Sequence, residues 1–202
     1  MNRRAPFIVL ISATMLTACA SVTPGIPSPA SNPMLLKEIP PYGGAPKVPH
    51  PLPDSVLSGS PCEALSPKQI HDDVGPGIPG KVEDGALGPV CSWDDSGGGS
   101  LLMIYFTTTQ HEGLSIIYKQ VKSQMKRFDV LPPIQGFPAV AYDTQPGPKT
   151  RDCHLTVGLS DTLDFQIGLS LGDYNGGKVD ACGIAAIIAD HVVTTLKAKA
   201  GR

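Results

Sequence analysis

The chain has 202 residues, 41% of them hydrophobic and only 5% aromatic, with a formal charge of −2 at pH 7. That length suits one domain with accessory segments. The slight acidity, the scarcity of aromatics and the lack of a basic stripe argue against nucleic acid as a partner.

The first segment carries its own address. Arg3 and Arg4 precede an apolar run, FIVLISATML, at residues 7–16. Ten residues are too few to cross a bilayer as a helix, which takes about 20. They fit the apolar region of a secretory signal peptide. Leu16-Thr17-Ala18-Cys19 then matches a bacterial lipobox. Residues 1–18 are therefore expected to be a lipoprotein signal peptide, and Cys19 the acylated anchor. Two acyl chains hold a protein stably where one does not. Loss of Arg3 and Arg4 without any acid would take the formal charge from −2 to −4. The protein is expected at the cell membrane, on its extracytoplasmic face.

From 24 to 53, ten of thirty residues are proline. Such a stretch is expected to run as an extended, partly polyproline II tether, so that residues 19–54 form anchor and tether. The folded domain is then 55–202.

Ser66-Pro67-Lys68-Gln69 has the pattern of a helix start, with serine as N-cap, proline at the first helical position and glutamine to close a capping box. That helix is short, because Gly75-Pro76-Gly77 follows. Residues from there to Pro89 are rich in Gly and Pro and are expected to be loop. PVCSWDD (89–95) is a short strand with the only tryptophan, Trp93. LLMIYFTTT (101–109) is apolar on both alternations, as in a central strand covered on both faces. Leu114, Ile117, Tyr118, Val121, Met125 and Phe128 then recur at helical spacing, predicting an amphipathic helix over 114–128 that Pro132-Pro133 end. A strand is expected at 136–143. Cys153, Leu155, Val157 and Leu159 alternate with His154, Thr156 and Gly158. After the Ser160-Asp161-Thr162 turn, Leu163, Phe165, Ile167, Leu169 and Leu171 repeat the pattern, which predicts a hairpin. Asp180 can cap a last helix to about 197, with Ile184, Ile187, Ile188, Val192 and Leu196 on one face. The order implies an α+β fold: a single antiparallel sheet of about five strands covered by amphipathic helices.

Cys62, Cys91, Cys153 and Cys182 remain after the anchor. Export permits disulfides, and no pair has CxxC spacing. The local pairings Cys62–Cys91 and Cys153–Cys182 are favoured, each closing a loop of similar length.

SPCEALSPKQ followed by VCSWDD resembles the DUF3558 family of actinobacterial lipoproteins, whose members carry a PC-x-LL-x-P-x-Q start and a C-x-W strand. The matching residues are Pro61, Cys62, Leu65, Pro67 and Gln69, then Cys91 and Trp93, with Ala64 in place of an aliphatic residue. The resemblance covers roughly residues 55–198. It implies no established activity and no catalytic residues.

The residues themselves offer little chemistry. Gly168-Leu169-Ser170-Leu171-Gly172 fits G-x-S-x-G, yet Ser170 lies inside an alternating strand and not on the strand-to-helix turn a nucleophile elbow needs. His50, His71, His111, His154 and His191 are scattered. His71 beside Asp72 and Asp73 suits a solvated helix end better than a cation site, and Asp94-Asp95 has too few ligands for a calcium loop. No cofactor, metal or enzymatic activity is expected. The expectation is a recognition domain for a small ligand, peptide or cell-wall component, with Tyr174 and Trp93 as candidate contacts. The alternative is an accessory lipoprotein docking an exported or membrane protein complex. The first calls for a concave apolar pocket with a few polar groups, the second for a flat exposed apolar patch.

Overall fold

The computed structural model describes residues 38–201. The expected signal peptide (1–18), Cys19 and residues 20–37 of the expected tether lie outside the described residues. The fold is α+β, with one fully antiparallel sheet in the order β1-β2-β3-β7-β6-β5-β4. Its strands are β1 (Lys81–Gly85), β2 (Gly88–Asp95), β3 (Ser100–Thr107), β4 (Arg127–Ile134), β5 (Phe137–Asp143), β6 (Asp152–Gly158) and β7 (Asp164–Ser170). The helices are α1 (Pro67–Asp73), α2 (Leu114–Ile116) and α3 (Ala181–Lys199).

The hairpin of β6 and β7 forms as its alternation predicts. Leu155 faces Ile167, Cys153 faces Leu169 and Val157 faces Phe165 across the ladder, all buried on one side. Leu102, Ile104 and Phe106 of β3 continue that surface. Helix α3 covers it. The close approach comes from small residues, since Ala181, Ala185 and Ala189 are buried beside Ile188, Val192 and Leu196. Ile187, expected on the packing face, is instead 54% exposed. By length and composition α3 could cross a membrane, but here its apolar stripe is spent on the sheet.

The sheet has seven strands, not about five. Both additional strands are edges. β1 has the sequence KVEDG, with no apolar alternation, and is exposed over most of its length. Only backbone pairing with β2 makes it a strand. β4 begins where the expected helix 114–128 fails to continue. That helix is present only as α2, a π-helical turn Ile117–Val121 and a 3₁₀ turn Lys122–Gln124. Met125 is extended, and Phe128 pairs with Tyr142 of β5. Leu114, Ile117, Tyr118, Val121, Met125 and Phe128 nevertheless join one cluster with Val140 and Tyr142 on the far face of the sheet. Helical spacing therefore found the correct neighbours and the wrong backbone for the last of them. Pro132-Pro133 sit in the edge strand β4, where the ladder shifts register between Leu131 and Ile134. An edge strand tolerates their missing N–H groups.

β3 is third in the sheet, between β2 and β7. Its core face is sealed, whereas Leu101, Met103 and Tyr105 on the other face are only half-buried.

Residues 38–53, expected as tether, pack on the domain. Val48 and Leu52 are 4% and 2% exposed and belong to the main core. One turn closes inside the segment, Ala45 N–H to the Tyr42 carbonyl (3.1 Å), and other N–H groups donate outward: Tyr42 to Ser115 Oγ (3.1 Å), Val48 to Asp161 Oδ1 (2.8 Å) and Leu52 to the Leu159 carbonyl (2.9 Å). Burial and the neighbouring Glu112 carboxylate push the Tyr42 hydroxyl up to about 12.

Both disulfides form as favoured, Cys62–Cys91 and Cys153–Cys182, each spanning 29 positions. The first ties a 3₁₀ turn, Pro61–Ala64, to β2; the second ties β6 to the start of α3. The capping box at Ser66 and Gln69 is present, and the Asp180 carboxylate accepts from the Cys182 N–H (3.1 Å). Arg127 of β4 grips the same carboxylate with both terminal nitrogens, at 2.7 and 2.8 Å, and reaches Asp129 at 2.6 Å. The Arg127 guanidinium holds the Asp180 carboxyl below the usual carboxylate range. Because Arg127 is largely buried, Arg127→Leu is expected to cost about 2 kcal/mol in urea unfolding, the loss of charged hydrogen bonds. A cost under about 0.5 kcal/mol would show that α3 is seated without this fork.

Candidate functional site

At one end of the sheet, a pocket of about 290 Å³ opens between the C-terminal end of α1, the start of β3, the end of β7 and α3. Its walls are mostly aliphatic: Val74, Leu101, Leu169, Leu171, Ile184 and Ile187 among others. The sequence puts them there by simple means. Leu169 is the last inward position of β7 and Leu171 follows just beyond the strand's end, where the sheet runs out from under α3. Ile184 and Ile187 lie beside the alanine-rich stripe that contacts the strands. The exposed Ile187 is therefore part of the pocket rather than of the core.

The polar groups gather on two sides. Asp72 and Asp73 end α1, and Asn175 belongs to the loop after β7. Asp72 is engaged by Lys68 and by His71 (3.1 Å), so His71 and the two aspartates do not act as one cation-binding group. Asp73 turns the other way. Its Oδ2 lies 2.7 Å from His191 Nδ1, a bond that joins α1 to α3, and its side chain is only 10% exposed. Ser100, the one hydroxyl among the lining residues, accepts from the Gly172 N–H (2.9 Å).

Tyr174 and Trp93 fare differently. Tyr174 is 82% exposed, with Lys178 Nζ 4.6 Å from its ring centre. It neighbours Asn175 at the pocket edge without lining the pocket. Trp93 is 1% exposed and packs at the Cys62–Cys91 disulfide: a Cβ on Gly80 would lie within 3.0 Å of both sulfurs and the indole nitrogen. It is a core residue, not a contact for a partner. Ser170 is paired on both sides, with Leu101 and Asp152, in mid-sheet fashion.

The family model described as a protein of unknown function, DUF3558, matches residues 14–195. The chain belongs to the DUF3558 family. The match extends well upstream of the 55–198 that the cysteine motifs indicate, and so takes in the docked segment 38–53 and the Cys19 region. No curated protein and no solved structure matches the chain. In this DUF3558 domain, Pro61, Cys62, Leu65, Cys91 and Trp93 all serve one structural corner, the first disulfide and its packing. The pocket draws on other residues. From the sequence Asp73 reads as part of a solvated helix end and Ile187 as a packing position, and Asn175 carries no signal of its own.

A second polar cluster lies on the far face of the sheet. Asp164 Oδ1 accepts from Thr107 Oγ1 (2.9 Å) and Gln166 Nε2 (3.3 Å), next to Thr156 and Tyr142, whose hydroxyls are 3.3 Å apart. Asp164 is 1% exposed and its Oδ2 has no partner. Sealed from solvent, this carboxyl bears on stability rather than on ligands.

Proposed function

We propose that this protein is an exported, lipid-anchored recognition module at the extracytoplasmic face of the cell membrane, and that its pocket between α1, β3, β7 and α3 receives a small ligand without transforming it. The observation that carries the reading is the pocket itself. It is an aliphatic concavity with two polar sides, at the lower end of the usual size for ligand sites. The docking alternative calls for one flat apolar patch. The exposed Val82 and Val130 lie instead on β1 and β4, the opposite edges of the sheet. A non-catalytic role is supported by the lining: Ser100 is held by a backbone N–H, and the nearby His191 bonds to Asp73 rather than to Ser100. With 38–53 docked, residues 20–37 are what separates Cys19 from the domain.

Native mass spectrometry of the chain, exported with its disulfides formed and purified from its native host, tests the reading. A non-covalent added mass is expected that vanishes on denaturation, while any acyl mass on Cys19 remains. Ile187→Glu, placing a charge at the exposed rim, should reduce that added mass at least tenfold. A bare chain less four hydrogens would turn the reading to protein docking.

A further inference from the structure

We infer that the ligand is a small aliphatic amine, its hydrocarbon body in the pocket and its ammonium against Asp73. This rests on the pocket being the recognition site, and it specifies what the site selects. The walls set the body. Val74, Leu101, Leu169, Leu171, Ile184 and Ile187 offer nothing that hydrogen-bonds through a side chain, and about 290 Å³ admits only a compact chain or ring.

Asp73 sets the head. Its side chain is nine-tenths buried, and Oδ2 is taken by His191. Oδ1 has no hydrogen-bond partner among the described residues. Unlike the orphaned oxygens of Asp143 and Asp164, it is not closed off from solvent. An ionised carboxylate can only accept, so a ligand meeting Oδ1 must bring a donor. A carboxylate or phosphate head would instead set like charges together at low dielectric. The nearest cationic side chain on α1, Lys68, is committed to Asp72 on the exposed side of the helix. An ammonium at Oδ1 gains a charge-assisted bond, roughly twice as strong as the neutral one a hydroxyl offers. Asn175, whose side-chain amide has no partner among the described residues, faces the same pocket and can accept a second N–H.

The test uses the full chain with Cys19→Ser, so that no acyl chain competes, titrated calorimetrically with hexylamine, hexanol and hexanoate. Hexylamine is expected to bind at least tenfold more tightly than hexanol, and hexanoate more weakly than either. Asp73→Asn keeps an acceptor for His191 and should bring hexylamine down to the level of hexanol, with hexanol itself changed less than twofold. Should that variant fail to fold, His191→Gln is the second probe. It leaves the carboxylate in place and should preserve or raise the preference for the amine. Hexanoate binding as well as hexylamine, or a preference that survives Asp73→Asn, would overturn the inference and leave the pocket reading intact. If none of the three binds, the pocket reading fails with it.

Discussion

Replacing Cys153 and Cys182 together by alanine is expected to lower the unfolding free energy by about 3.5 kcal/mol. The cross-link spans 29 positions, from the interior of β6 to the first turn of α3. Chain-entropy arithmetic for a loop of that length gives this figure, most of it from restricting the unfolded chain. Both cysteines are buried, at 1% and 2% exposure, so the lost sulfurs also leave a small void. Native contacts at the same corner persist in the variant: the Arg127 fork on Asp180, the Asp180 cap on the Cys182 N–H, and the Ala181 N–H to the Thr150 carbonyl (3.3 Å). The fold should therefore survive with slower refolding and a largely unchanged unfolding rate. Urea-jump kinetics check this directly. A loss under about 1 kcal/mol would mean that the unfolded chain already holds β6 and α3 together. A loss taken up mainly in the unfolding rate would mean that the bond acts on the native state.

Asp164→Asn is expected to stabilise the protein at pH 7.5, by on the order of 1–3 kcal/mol, and to flatten its stability between pH 4 and 6. Burial pushes the Asp164 carboxyl up from 3.8 to about 6, against the pull of the bonds from Thr107 and Gln166. A raised folded value means that the folded protein binds the proton more tightly than the unfolded chain. Stability from this group is therefore greatest below about pH 4, falls as pH rises through 6, and stays low above it. At about 1.4 kcal/mol per pH unit, the difference amounts to about 3 kcal/mol. Asparagine keeps an oxygen for Thr107 and carries no charge to bury, although its amide nitrogen inherits the place of the orphaned Oδ2. Carboxylates held low by cations, such as Asp180 beside Arg127, contribute the opposite slope in both proteins and cancel in the comparison. Chemical unfolding at pH 4, 5, 6 and 7.5 measures the effect. Equal slopes for the two proteins, or a less stable variant at pH 7.5, would show that the buried carboxyl is accommodated without strain on the fold.

The contrast between β7 and β4 shows what could be read in advance. Leu163 to Leu171 alternate cleanly because one face of β7 meets α3 and the other does not, so burial writes its period into the sequence. β4 is an edge, with Val130 65% exposed and two prolines, and its one-sided contacts write no period. Phe128 satisfied a helical spacing because the far-face cluster can be reached from a helical turn or from a strand. Val48 and Leu52 looked like punctuation in a proline-rich tract, since two buried residues without periodicity resemble none at all.

The sequence by itself determined the capped starts of α1 and α3, the central hairpin and the short motifs of the family. Each depends on neighbours in the chain or on a strict local period. Tertiary structure alone decided the edges of the sheet, the docking of residues 38–53 and the pocket. Asp73 shows why. Its role comes from His191, 118 positions away, and from walls that α1, β3, β7 and α3 each supply in part. No local pattern encodes a space that four separate elements enclose.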